Sequence, residues 1–92
     1  MANFIVSYDL NGPYPSHQQM DDHIRQLPCR YGRILETVWY VGFAGTRQGL
    51  FDYVRSILSP NDQLLVVDCL DASFVNLLVN QQEFVDAWNA NR

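Results

Sequence analysis

The run Phe4-Ile5-Val6-Ser7-Tyr8-Asp9 constrains the fold more than any other stretch. Successive side chains of a strand point to opposite faces, so Phe4, Val6 and Tyr8 share one face while Ile5, Ser7 and Asp9 share the other. Both faces are largely apolar up to the last residue, which predicts a strand inside a sheet. Gly12, Pro13 and Pro15 then break it, because none of them continues a ladder. A second near-continuous apolar run, "QLLVVDCL" at residues 63–70, reads in the same way as a central or well-covered strand.

Helical patterns lie between and after these runs. Ser16 and Gln19 have the spacing of a capping box, Asp21 and Asp22 place negative charge in the early turns, and Met20, Ile24 and Leu27 form an apolar stripe that Pro28 stops. The β-branched and aromatic run "YGRILETVWYVGF" at residues 31–43 predicts a hairpin. Thr46 caps a second helix whose stripe is Leu50, Val54, Ile57 and Leu58, with Gly49 weakening its first turn. The tail reads as helical in two pieces, one with Phe74, Leu77 and Leu78 and one with Phe84, Val85 and Trp88. The expected order, strand-helix-hairpin-helix-strand, is that of an α+β ferredoxin-like two-layer sandwich (βαββαβ) with a helical C-terminal tail. Residues 1–92 form one domain in this reading, with 1–70 as the core and 71–92 as the tail.

Composition narrows the function classes. The hydrophobic fraction of 48% with 17% charged residues is that of a folded chain. No apolar stretch reaches the about 18 residues of a membrane span, and "MANFIVSYDL" lacks the features of a secretory leader, so a cytoplasmic protein without a membrane partner is expected. Cys29 and Cys69 are far apart and have no metal-knuckle spacing, which favours reduced, packed thiols. A net charge of -4 argues against a broad basic surface for nucleic acid. All six cationic residues are arginines, the better fork for phosphate or carboxylate, although ordinary surface ion pairs explain them as well.

The motifs "FIVSYDL" and "RILETVWYV" resemble the family of small CRISPR-associated 2 proteins, whose first strand ends in Tyr-Asp and whose second carries a basic residue ahead of a Ser/Thr-Val-aromatic run. "SYDLN" at 7–11, "LETVW" at 35–39 and "DQLLVV" at 62–67 are closer still to a related bacterial group labelled SinR-like, with VapD-type ribonucleases as distant cousins of the same fold. The resemblance spans residues 3–68. It implies a homodimer packed around the ends of the first strands, and a magnesium-dependent endoribonuclease or other endonuclease that uses Asp9. It also implies Ser7, Tyr8 and Asn11 at the interface, Arg33 on the phosphates of RNA or DNA, and an integrase partner. Two departures accompany it: residues 73–90 look helical where the family commonly has a crossing strand, and the basic residues are few.

On chemical grounds Asp9 has two readings. Magnesium takes oxygen ligands, commonly one or two carboxylates with waters and phosphate, and a twofold axis would bring two copies of Asp9 together. Alternatively, "DLNG" is an ordinary turn entry in which Asp and Asn bond local backbone. An antiparallel last strand would put Asn61 and Asp62 near Asp9, and Asp68 and Asp71 at the far end. Tyr8 reads as core. His17 and Asp21, four apart on a helix, could share a metal or be surface polar residues, with His23 on a different face. Arg33 and Glu36 could bind phosphate and a partner, or pair across strands. Two functions follow: a dimeric metal-dependent nuclease, or a non-catalytic dimeric scaffold or regulatory module of the same fold.

Overall fold

The computed structural model describes residues 2–91. The elements are β1 (Ala2–Asp9), α1 (His17–Arg25), β2 (Arg30–Leu35), β3 (Val38–Phe43), α2 (Arg47–Arg55), β4 (Gln63–Cys69) and α3 (Gln81–Ala90). The four strands form one antiparallel sheet in the order β2-β3-β1-β4. The chain is therefore α+β, and β1 is internal as its two apolar faces require.

Helices α1 and α2 cover one sheet face. Phe4, Val6 and Tyr8 of β1, Trp39 and Val41 of β3 and Val66 of β4 pack there against Met20, Ile24, Leu27, Leu50 and Val54. Fully burying one such aliphatic side chain contributes about 1.5–3 kcal/mol, so this layer is the main source of stability. Both helices start where the caps were expected. Ser16 Oγ accepts from the Gln19 N–H while Gln19 Oε1 accepts from the Ser16 N–H, and Thr46 Oγ1 accepts from the Gly49 N–H at 3.0 Å. Met20 and Ile24 of α1 and Leu50 and Val54 of α2 are the buried stripes. Ile57 departs from the expected stripe because α2 ends at Arg55 and leaves its side chain exposed.

The hairpin turns at Glu36 and Thr37, with a register shift between Arg33 and Leu35. Thr37 closes onto the sheet by accepting the Tyr8 N–H at 3.2 Å.

The tail packs on the opposite face. Tyr40 of β3 stacks with Trp88 and meets Phe84 edge-on, and Ile34, Ala87, Phe74, Leu77 and Val79 complete a second, smaller core. Two polar side chains are buried here: Asn3 donates from Nδ2 to the Trp88 carbonyl at 2.9 Å, and Asn91 donates to the Ala87 carbonyl at 2.9 Å. They fix the end of α3 to β1 and to itself.

Two expectations are corrected. Residues 74–78 are not helical: Asn76 takes a left-handed φ of 55°, and the true helix is capped by Asn80, whose side chain accepts from Glu83 N. Phe74 and Leu77 have helical spacing because both insert into the second core from an irregular segment. β4 is an edge strand, not a central one, and its second face is open: Leu65 is 59% exposed and Val67 38%. Helix α3 packs over Tyr40 of β3 and Asn3 of β1 and leaves these β4 side chains uncovered.

Candidate functional site

Asp9 is the last residue of β1 and is exposed. It lies on the face away from α1 and α2, because its neighbour Tyr8 is buried beneath those helices. It pairs in register with Gln63, and Ser7 pairs with Leu65. Ser7, Tyr8, Asp9, Gln63, Leu64 and Leu65 line a shallow depression at this end of the sheet. Asp68 falls opposite Phe4, at the other end, as antiparallel pairing requires.

Asp62 is also near this end, but its carboxylate is committed to the loops. One oxygen accepts the Asn11 N–H at 2.7 Å and the other the Ser59 N–H at 2.8 Å. These backbone donors, Asn11 foremost, hold the Asp62 carboxyl below its usual range. Asn11 adds a bond from Nδ2 to the Asn61 carbonyl at 2.9 Å. The Asn11 side chain thus ties the loop after β1 to the loop before β4. Ser7 is half-buried beside Leu65, whereas Tyr8 points into the main core.

Arg33 lies elsewhere. It pairs with Trp39, so its side chain shares the α1 and α2 side of the sheet, opposite to Asp9. Both residues occupy the same end of the sheet, but the sheet stands between their side chains. The Arg33 guanidinium makes one bond at 3.4 Å to the Glu36 carbonyl, at the outer limit of hydrogen bonding.

On that side a group forms that sequence spacing did not reveal. The Tyr8 hydroxyl donates to Asp21 Oδ1 at 3.2 Å, and the His17 ring meets the Tyr8 ring edge-on at 6.4 Å. Burial pushes the Tyr8 phenol above its ordinary value; the Trp39 indole N–H opposes the rise, Asp21 adds to it, and Arg33 opposes it. The Trp39 indole nitrogen is buried and closes no hydrogen bond within the usual limits. The Arg25 guanidinium sits 5.4 Å over the Trp39 ring and Tyr31 tilts against it at 6.1 Å. The alternation of Tyr31 and Arg33 on β2 was the available signal, as was the shared parity of Tyr8 with the core residues Phe4 and Val6.

His23 faces α2. Its ring stacks on Tyr53 at 4.1 Å, its Nε2 donates to the Tyr53 carbonyl at 2.7 Å, and Tyr53 Oη donates to the His23 carbonyl at 2.7 Å. This reciprocal pair fastens α1 to α2. Cys29 and Cys69 are free, half-buried thiols, and burial raises the pKa of each. Among the described residues no group of three or more His, Cys, Asp or Glu side chains could hold a metal ion, and no helix is long and apolar enough to cross a membrane. With Asp62 bonded to the loops, Asp9 is the exposed carboxylate left at this end among the described residues, with the Gln63 strand position opposite it. No family model, curated protein or solved structure matches the chain.

Proposed function

We propose that the chain is a CRISPR-associated 2-like protein with a ferredoxin-like fold, acting as a homodimeric, magnesium-dependent endonuclease on RNA or DNA. The observation that carries this reading is the position of Asp9: an exposed carboxylate on the open sheet face, in a depression it shares with the exposed Leu65. The sheet order β2-β3-β1-β4, with antiparallel neighbours throughout, supports the ferredoxin-like assignment. Exposed Leu65 and Val67 on the same open face supply apolar area for a symmetric contact that would bring two Asp9 residues near one axis. Asp9 from each subunit would hold the ion, which supplies charge neutralisation at phosphate and an activated water.

The second reading, a non-catalytic dimeric scaffold of the same fold, is favoured by the engagement of Asp62 in loop bonding, which leaves one carboxylate per chain. Cleavage assays on single-stranded RNA and duplex DNA, with magnesium or EDTA, separate the two. The nuclease reading expects metal-dependent cleavage that Asp9→Ala abolishes. Equal behaviour of wild type and Asp9→Ala would retire it in favour of the scaffold.

A further inference from the structure

We propose that Arg25, Tyr31 and Arg33, grouped around the Trp39 indole on the α1 side of the β2 edge, bind a nucleoside monophosphate, either free or as the phosphate-bearing end of a single strand. This site is on the sheet face opposite to Asp9 and does not depend on a metal.

Charge distribution is the first argument. The chain carries -4 overall, yet three of its six cations, Arg25, Arg30 and Arg33, fall within residues 25–33. Strand alternation puts Tyr31 and Arg33 on one side of β2, and the last turn of α1 brings Arg25 over the same indole. Apart from the seat of Arg25 on the Trp39 ring, the two guanidiniums have only weak polar partners. Arg25 pairs with Asp22 at 3.8 Å between exposed side chains, a contact of little worth in water, and Arg33 has its 3.4 Å carbonyl bond. Either can turn to an incoming anion at small cost, and a planar guanidinium suits phosphate oxygens.

The second argument is aromatic. Tyr31 is 40% exposed on an edge strand and its ring tilts against Trp39, so part of an aromatic surface beside the arginines is open to a base. Stacking of a base on an exposed aromatic is worth about 1–3 kcal/mol and tolerates any base. The third argument is the position of the indole: Trp39 is 1% exposed, and its ring lies under the Arg25 guanidinium and beside Tyr31, so a ligand held by those side chains sits over this ring.

The test is a titration of the isotope-labelled full chain followed through the indole N–H resonances of Trp39 and Trp88. The probes are uridine monophosphate, uridine, inorganic phosphate, and tetrauridylate with or without a terminal phosphate. The Trp39 resonance is expected to move saturably with uridine monophosphate while Trp88, which donates to the Leu70 carbonyl, stays still. Arg33→Gln is expected to weaken binding about tenfold, the scale of one lost charge-assisted bond. Arg25→Gln, at an exposed helix position, serves if Arg33→Gln does not fold. Tyr31→Ala should weaken the nucleotide but not inorganic phosphate. Equal affinity for monophosphate and phosphorylated tetramer assigns a free nucleotide, and tighter binding of the phosphorylated tetramer assigns a strand end. A stationary Trp39 signal with every probe, or titrations unchanged in the arginine variants, overturns the site. Asp9→Ala leaves this titration as it is, so its failure and that of the nuclease reading are separate outcomes.

Discussion

The Tyr40 hydroxyl donates a 2.7 Å hydrogen bond to the Asn3 side-chain oxygen beneath α3, while the Asn3 amide nitrogen donates to the Trp88 carbonyl. One buried asparagine therefore couples β3, β1 and the last turn of the tail helix. Tyr40→Phe keeps the ring contacts with Phe84 and Trp88 and removes only the hydroxyl, which donates to the Asn3 oxygen and also interacts with the Asn91 amide. The expected loss is about 1–3 kcal/mol, the cost of an unsatisfied buried acceptor. Urea denaturation gives the size, and faster hydrogen exchange across α3 than across α1 would locate it.

Gly42 is the partner in space of that cluster. A Cβ there would lie 2.7 Å from Asn91 Nδ2 and 2.8 Å from Tyr40 Oη, both buried side chains with hydrogen bonds to keep. Gly42→Ala should therefore destabilise by about 1–3 kcal/mol through overpacking. The thermal midpoint measures it, and an unchanged midpoint would mean that Asn91 moves aside freely.

Leu50 and Leu65 make a contrast that separates the closed face from the open one. Leu50 is fully buried in the main core, and Leu50→Ala should cost about 2–5 kcal/mol. Leu65→Ser changes a side chain that is 59% exposed within one subunit, so the stability of an isolated subunit should change little. If the open face joins two copies, Leu65→Ser instead shifts the sedimentation behaviour toward the single chain. Sedimentation unchanged by the substitution would remove this face as the interface.

The strands, caps and main core were legible in the sequence because each rests on local chemistry: a two-sided apolar run at β1, Ser16 and Thr46 as caps, and Met20, Ile24, Leu50 and Val54 as stripes. What escaped was set by tertiary contact. Phe74 and Leu77 have helical spacing but serve an irregular segment, and a positive φ at Asn76 is not announced by apolar pattern. The apolar run of β4 suggested a central or well-covered strand, since periodicity reports hydrophobicity and not the identity of the neighbour. At the candidate site, parity placed Asp9 and Tyr8 on opposite faces. The same rule for Arg33 needed the hairpin register, which turns on the irregularity between Arg33 and Leu35.

Asp62 sets the last expectation. Its oxygens accept the backbone N–H groups of Asn11 and Ser59, and these donors lower its folded-state pKa from 3.8. A depressed carboxyl pKa means that the unfolded chain binds the proton first, so the stabilisation is complete above 3.8 and disappears as pH falls through the lower folded value. Asp62→Asn should lower stability at neutral pH and flatten its fall in acid, because an amide can accept only through its one oxygen and does not titrate there. Urea midpoints across the acid range compare the two proteins. Parallel curves for wild type and Asp62→Asn would show that the clasp between the loops flanking β1 and β4 does not depend on this charge.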